Sequence, residues 1–167
     1  DKNYAAGSYE YLENEANIFR VKTDSLNPII PKRIGTCRIY RIGKGVFKGR
    51  DIESIDFGRG VKTIGAYAFA NCKKLTELKM TRNVRFIEEN AFEGCIGLSS
   101  VYMNGVEHIS REAFKDCKNL GLVFLPDSVK TIEEDAFLNC LSVLFSVEEG
   151  TYAYQWAVEK GYKYIIR

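Results

Sequence analysis

The chain has 167 residues, 46% hydrophobic and 28% charged, which is enough for one domain with a hydrophobic core. Its 24 basic and 22 acidic residues leave a net charge of +2, and no basic run exceeds two residues, so the composition argues against a nucleic-acid partner. No apolar stretch approaches the ~20 residues that cross a bilayer. The sequence contains no signal peptide, but residue 1 is Asp and not Met, so we expect a processed or trimmed chain.

The first 44 residues predict an N-terminal cap that contains a hairpin turned at "ENEA", residues 13–16. The apolar residues of the hairpin are Tyr9, Tyr11, Ile18, Phe19 and Val21. A stack of repeats needs covered ends, because a bare terminal turn exposes its core. A tyrosine-rich hairpin is also compatible with a sugar-binding platform, and the cap is the interpretation we favour.

Residues 45–147 contain a repeat with a period of 22 or 23 residues, which is clearest in its phenylalanines: Phe47, Phe69, Phe92, Phe114 and Phe137. Each unit continues with a strand-like pattern such as "LTELKM" at residues 75–80. Side chains alternate along a strand, so Leu78 and Met80 point into the core while Glu77 and Lys79 point outward. A second extended piece is expected at each "V-x-x-I", and a tight helical turn around each "A-F-x-x-C".

A single repeat cannot bury its apolar face, whereas stacked repeats can, so the pattern predicts a solenoid. The period lies within the leucine-rich repeat range of ~20–29 residues. We therefore predict an α/β, β-rich, right-handed leucine-rich-repeat solenoid of about four to five turns with a cap at each end. The whole of 1–167 is expected to be one domain.

Four cysteines follow the repeated phenylalanines at a distance of three residues: Cys72, Cys95, Cys117 and Cys140. Zinc sites use closely paired ligands such as C-x2-C, and no two of these cysteines are closer than 22 residues. A disulfide ladder between turns is conceivable, but the odd total of five, with Cys37, argues against it. We predict reduced, buried thiols that share the core with Phe69, Phe92, Phe114 and Phe137.

Residues 148–167 predict a C-terminal cap. Thr151 is a suitable N-cap residue and Gly161 a suitable stop for a short helix between them. Ala153, Trp156 and Ala157 share one helical face, and the only tryptophan is expected to cover the last turn. The alternative is a tryptophan that stacks on a ligand.

The sequence lacks the residue patterns of known catalytic sites. His108 is the only histidine and is expected to be exposed, without a nucleophile or an orienting acid nearby. Carboxylate pairs at Glu88/Glu89 and Glu133/Glu134 occupy corresponding repeat positions, which indicates a solvated corner. We expect no enzyme activity, no cofactor and no metal.

Two stretches, "VKTIGAYAFANCKKLTELKM" at residues 61–80 and "VKTIEEDAFLNC" at residues 129–140, resemble the BspA-like leucine-rich repeats of bacterial surface proteins. The unit at Phe47 is degenerate and lacks the cysteine. The resemblance implies an extracellular or cell-surface, non-enzymatic module that binds proteins or mediates adhesion, with host matrix or another cell's surface as the partner. A structural spacer or stalk, or a glycan-binding module, are the alternatives.

The outward strand residues change character along the stack, from polar in the early units to apolar in the later ones. We name Tyr102, Leu122, Phe124 and Leu144 the apolar patch and predict that they are neighbours on the concave face, because adjacent strands lie ~4.8 Å apart. Three kinds of cover are considered for the patch: the C-terminal cap folded back, a protein ligand, or a second copy of the chain.

Overall fold

The computed structural model describes residues 9–12, 17–22 and 24–167. The N-terminal strands are β1 (Tyr9–Leu12), β2 (Asn17–Val21), β3 (Arg33–Ile34) and β4 (Cys37–Arg38). The strands of the repeats are β5 (Arg41–Ile42), β6 (Thr63–Ile64), β7 (Glu77–Met80), β8 (Phe86–Ile87), β9 (Ser100–Met103), β10 (His108–Ile109), β11 (Leu122–Phe124), β12 (Thr131–Ile132) and β13 (Leu144–Val147). The C-terminal elements are α1 (Tyr152–Glu159) and β14 (Lys163–Ile166).

From β6 to β13, successive strands belong alternately to two sheets, so each of these turns contributes one strand to each sheet. The seven-stranded sheet has the order β1-β2-β5-β6-β8-β10-β12, and the five-stranded sheet has the order β14-β13-β11-β9-β7. Within the repeats all strand pairs are parallel and in register, so Val123 lies between Val101 and Phe145. Corresponding positions of the repeats therefore meet as neighbours, and the five-stranded sheet is the one that we expected to form the concave face.

The predicted leucine-rich-repeat solenoid is confirmed, with about six turns instead of four to five. The additional turn comes from the lead-in, which lacks the repeated Phe and Cys. Its strand β2 pairs in parallel with β5, and Ile29 forms a bridge with Asp56. Backbone pairing needs no particular side chain, so a count based on Phe and Cys misses such a turn. No helix in the described ranges is long and apolar enough to cross a membrane.

The corner around each "A-F-x-x-C" is a series of tight turns, and the expected helical turn is wrong. Tyr67 has φ 56° and Asn71 has φ 61°, a left-handed conformation that a right-handed helix cannot contain. Successive backbone amides of the corner donate alternately within their own turn and to the next turn. The Ala70 amide donates within the turn to the Tyr67 carbonyl at 3.1 Å, and the Phe69 amide donates to Ala91 of the next turn at 2.7 Å. The corner thus continues the ladder between turns.

The N-terminal hairpin is present as an antiparallel pair of β1 and β2. Strand β2 then pairs with β5 in parallel, with Ile18 opposite Ile42, and Ile18 is buried. The predicted turn at residues 13–16 lies outside the described residues. The hairpin therefore extends the seven-stranded sheet at its N-terminal side, as a cap does.

Five phenylalanine rings stack in one column through the core, which they share with the buried apolar residues of both sheets. The distances between ring centroids are 4.9 Å for Phe47–Phe69, 5.2 Å for Phe69–Phe92, 5.1 Å for Phe92–Phe114 and 5.1 Å for Phe114–Phe137, and the planes are within 8° of parallel. All five rings are buried. Each inner ring contacts a ring above and a ring below, so every turn depends on its neighbours.

The C-terminal segment closes this column. The Thr151 hydroxyl accepts a hydrogen bond from the Tyr154 amide at 3.3 Å at the start of α1, and Gly161 follows the helix with φ 70°. Trp156 lies 5.9 Å from Phe137 and 5.2 Å from Phe145 between ring centroids. The tryptophan thus packs on the last ring of the stack.

Replacing Phe92 by alanine is expected to lower the free energy of unfolding by about 3–5 kcal/mol, because it removes a fully buried ring that stacks on two others. Urea unfolding followed by circular dichroism measures the change. Phe86→Ala is the matched control, because that ring is 43% exposed and should cost about 1 kcal/mol or less. Equal urea midpoints for Phe92→Ala and the wild type would contradict the stacked core.

Candidate binding surface on the five-stranded sheet

Ten outward positions cover the five-stranded sheet in two rows, as the strand register dictates. The first row is Glu77, Ser100, Leu122, Leu144 and Lys163. The second row is Lys79, Tyr102, Phe124, Ser146 and Ile165. On β7, β9, β11 and β13 the intervening side chains, such as Val101 and Val123, are buried, whereas on β14 they are exposed. The alternation expected for each strand therefore places one residue of every pair on this surface.

The two rows are charged on β7 and apolar on β11, and the first row ends at Lys163 on β14. On β7 the Lys79 ammonium lies 2.6 Å from the Glu77 carboxylate, and both groups are in contact with water. Two strands further on, Leu122 and Phe124 occupy the same positions. The surface therefore has a charged end on β7 and an apolar region around β11 within one sheet.

The structure brings the four residues of the apolar patch together. The rings of Tyr102 and Phe124 stack with 5.0 Å between centroids and 24° between planes. Leu122 lies directly opposite Leu144 on the neighbouring strand. All four side chains are half-buried. They shield one another in part, and the outer faces remain in contact with water.

The C-terminal segment extends this surface at its edge. Strand β14 pairs with β13, placing Lys163 beside Leu144 and Ile165 beside Ser146. Ile165 is 47% exposed, so it adds apolar surface next to the patch. Ser146 is buried at 1% exposure although its side chain was expected to face outward, because this short residue lies between Phe124 and Ile165.

Arg167 reaches over the apolar patch from its edge. Its guanidinium carbon lies 5.7 Å from the centre of the Phe124 ring, and its Nη2 donates a 3.0 Å hydrogen bond to the Leu125 carbonyl. A guanidinium above an aromatic face is attracted by the ring quadrupole. Sequence analysis missed both Ile165 and Arg167, although the apolar and basic residues of "KYIIR" after Gly161 are compatible with one more strand.

A cavity of about 640 Å³ lies between the last repeat corner and the C-terminal cap. Its lining includes Glu134, Leu141, Trp156 and Tyr162. Trp156 is nevertheless buried and stacks on Tyr162 with 4.9 Å between centroids. Because its ring faces are used by internal contacts, the tryptophan serves as a cap in preference to a ligand platform.

The four in-phase cysteines are buried, carry free thiols and share one hydrogen-bond pattern. Each thiol donates to the carbonyl of the repeated phenylalanine one turn earlier: Cys72 to Phe47, Cys95 to Phe69, Cys117 to Phe92 and Cys140 to Phe114, at 3.1–3.2 Å. The cysteines therefore join adjacent turns through hydrogen bonds as well as filling space. The sequence gives no sign of this donor role, because a small apolar residue fits the same pattern.

The pKa is raised for three of these thiols, those of Cys72, Cys95 and Cys117. Burial raises the pKa of the Cys72 thiol to about 12, with a smaller opposing effect from nearby backbone hydrogen bonds, and it raises the pKa of Cys95 still further. The hydrogen bond with Cys140, together with burial, raises the pKa of Cys117. Because the thiolate is the nucleophile and the metal ligand, Cys72, Cys95 and Cys117 are inert at neutral pH.

Groups suited to catalysis or to metal binding are sparse. No cluster of three or more His, Cys, Asp or Glu that could hold a metal occurs in the described part of the chain. His108 is half-buried instead of exposed, because its ring stacks on Phe86 at 5.2 Å and its Nδ1 lies 2.8 Å from the Thr131 hydroxyl. The arrangement of these residues is structural.

Comparison with known families identifies the repeat. Residues 39–151 match the description "BspA type Leucine rich repeat region (6 copies)". The chain belongs to this family. Membership supports a binding or repeat module of the kind found in bacterial surface proteins, and such repeat domains are typically non-enzymatic. No curated protein matches the sequence significantly.

Solved structures agree with the fold. A leucine-rich repeat protein of T. pallidum superimposes with a TM-score of 0.80 at 24% identity, covering 87% of this chain and 71% of that one. A leucine-rich repeat protein of Bacteroides ovatus gives 0.71 at 26% identity, over 82% and 38%. A leucine-rich cell surface protein of Faecalibacterium prausnitzii gives 0.65 at 26% identity, over 93% and 41%. The chain thus spans less than half the length of the last two proteins.

Thiol titration near pH 8 should find Cys72, Cys95, Cys117 and Cys140 silent in the native protein and reactive in denaturant, since unperturbed thiols have a pKa of about 8.5. The half-buried Cys37 serves as the internal control and should react earlier. A mass increase of about two hydrogens per cysteine pair on reduction would show disulfides and overturn this assignment.

The raised pKa of Cys72 also predicts a pH dependence of stability. Below about pH 8.5 the thiol is neutral in both the folded and the unfolded chain, and its contribution to stability is complete. Between that pH and about 12 the unfolded chain loses the proton first, so stability falls as pH rises. Urea midpoints of the wild type and Cys72→Ala from pH 8 to pH 10 measure this, and the wild type should decline more steeply. Parallel declines would contradict the assignment.

Proposed function

We propose that this chain is a non-enzymatic, cell-surface or secreted binding module, that 1–167 acts as one domain, and that the apolar patch binds a protein partner. The observation that carries the proposal is the Tyr102–Phe124 ring stack beside Leu122 and Leu144 on the five-stranded sheet. Aromatic and aliphatic side chains grouped on a regular surface gain free energy when a partner removes them from water.

The composition of the surface supports a protein partner. Interface centres are enriched in Tyr, Phe and Arg. Tyr102 and Phe124 lie within the patch, and Arg167 lies over the Phe124 ring from its edge. The charged pair Glu77/Lys79 lies at the far end of the same sheet, where a polar rim is expected. Because the sheet holds these side chains rigidly, little conformational entropy is lost when they are ordered against a partner.

The alternatives are less well supported. A structural spacer needs no apolar cluster on its surface, and the patch would only promote aggregation in such a protein. A glycan-binding module usually offers an aromatic face beside polar groups, but one face of Tyr102 is occupied by Phe124. The match to a cell surface protein of F. prausnitzii is compatible with an extracellular location and adhesion to host matrix or to another cell.

The double variant Leu122→Asp/Phe124→Ser tests the proposal, because it places a charge and a small polar group at the centre of the patch. We expect loss of partner binding or self-association, with the free energy of unfolding changed by about 1 kcal/mol or less. Matrix proteins immobilised on a sensor surface measure binding, and sedimentation velocity measures self-association.

Glu77→Ala/Lys79→Ser is the matched control, since it changes the same two outward positions at the polar end of the sheet. It should retain binding. If the patch variant instead unfolds at a much lower urea concentration than the control, the patch belongs to the core and the proposed site must be withdrawn. Equal binding by the patch variant and the wild type would have the same consequence.

A further inference from the structure

The small net charge hides a strong separation of charge along the chain. Residues 22–85 contain 15 basic and five acidic side chains, a net charge of +10, whereas residues 86–167 contain seven basic and 13 acidic, a net charge of −6. Such an asymmetry between halves indicates an electrostatic interaction surface. The early turns of the stack are therefore the place to look for an anionic ligand.

A cavity of about 220 Å³ on the early turns collects part of this positive charge. Four cationic side chains line it, together with a tyrosine and an amide: Lys32, Arg38, Arg59, Lys62, Tyr40 and Asn83. None of its lining residues in the described part of the chain carries a carboxylate. Within the described ranges, none of the four cations lies within ion-pair distance of a carboxylate. We call this the basic cavity.

In later turns of the same face, the cationic side chains form ion pairs within the chain. Backbone hydrogen bonds of 2.7–2.9 Å link Tyr40, Lys62, Arg85, Glu107 and Lys130 in one row, one residue per turn. At the end of the row, the Glu107 carboxylate lies 2.8 Å from Arg85 and 2.6 Å from Lys130. Those cations are neutralised within the chain. Lys62 and its neighbours in the basic cavity repel one another without such a partner, so an external anion is favoured there.

Close contacts between adjacent turns fix the backbone around the basic cavity. A Cβ added to Gly60 would lie 2.4 Å from the Ile39 carbonyl oxygen, so the two turns that supply the cations touch at this point. The Asn83 amide donates a 2.9 Å hydrogen bond to the Arg59 carbonyl, and the Lys62 ammonium lies 5.2 Å from the centre of the Tyr40 ring. The positions from which the cationic side chains extend are therefore fixed before any ligand arrives.

We propose that the basic cavity binds sulfate-ester groups of a sulfated polysaccharide. Arginine presents planar donors that match oxyanions, and lysine adds point charge, so Arg38, Arg59 and Lys62 form a suitable set. The cavity is smaller than the ~300–1,000 Å³ of sites that enclose a whole small molecule. It therefore fits a charged group carried on a longer ligand that lies along the surface.

Other polyanions fit less well. Sites for single-stranded nucleic acid use several aromatic rings in a groove. Among the described lining residues Tyr40 is the one aromatic, and its ring already contacts the Lys62 ammonium. Duplex DNA requires a helix or ribbon for its major groove, whereas the ribbon at the basic cavity, β3–β4, has two residues in each strand. A membrane surface calls for several exposed apolar side chains beside the cations, and Tyr40 is the one such side chain among the described lining residues.

Fluorescence anisotropy with a labelled heparin octasaccharide tests the proposal. The wild type should bind. The affinity should fall steeply between about 50 and 200 mM salt, because ionic contacts between the cationic side chains and the polyanion release counterions. Arg59→Ala/Lys62→Ala should bind at least about tenfold more weakly, a loss of about 1.4 kcal/mol. Lys73→Ala/Lys118→Ala removes the same charge from exposed positions outside the cavity and should stay within about twofold.

Competing probes distinguish the sources of the anion. Hyaluronan of equal length, which carries carboxylates only, should bind much more weakly, and inorganic sulfate should compete only at high concentration. No binding of heparin, equal losses in both variants, or inorganic sulfate binding as tightly as the octasaccharide would overturn the proposal. Tighter binding of single-stranded DNA of equal charge would also overturn it. The apolar patch lies on the other sheet, so these outcomes leave the proposed protein-binding function unaffected.

Discussion

Backbone hydrogen bonds between successive turns set the distance at which each residue meets its counterpart in the next repeat. The Phe69 amide bonds to Ala91, the Phe92 amide to Ala113 and the Phe114 amide to Ala136, all at 2.7–2.8 Å. Strands joined in this way lie ~4.8 Å apart, and the phenylalanine centroids follow at 4.9–5.2 Å. Ring stacking and thiol hydrogen bonds both use this spacing, so the core is a consequence of register.

The same register organises the surface. Where the same residue type occupies one position in every repeat, the surface carries a uniform row. Where the residue type changes from repeat to repeat, the polarity or charge of the row changes along the stack. On the five-stranded sheet the second row passes from Lys79 through Tyr102 to Phe124, which creates an apolar end. Beside the seven-stranded sheet Glu107 neutralises the late cations, while Lys62 has no carboxylate within ion-pair distance among the described residues. The distinct surfaces of this protein thus arise from departures from the repeat.

Sequence reasoning succeeded where a side chain's role depends on its position in the repeat. The inward and outward alternation, the phenylalanine column and the apolar patch all follow from spacing. It failed for features that depend on backbone geometry or on how charge is distributed along the chain. Nothing about Tyr67 or Glu112 as residue types announces the left-handed conformation that both adopt. The C-terminal strand β14 pairs through its backbone, and the basic cavity was missed because a net charge of +2 averages two opposite halves.

Native-state hydrogen exchange of Phe92→Ala tests most directly whether each turn is stabilised by its neighbours. The amides of Phe69 and Phe114 lie one turn to either side of the substituted ring, and both bond across turns. If stacking couples the turns, both amides should lose protection together, by more than about tenfold, since local stability sets the exchange rate. Unchanged protection at Phe69 and Phe114, with loss confined to residue 92 and its own turn, would contradict the account.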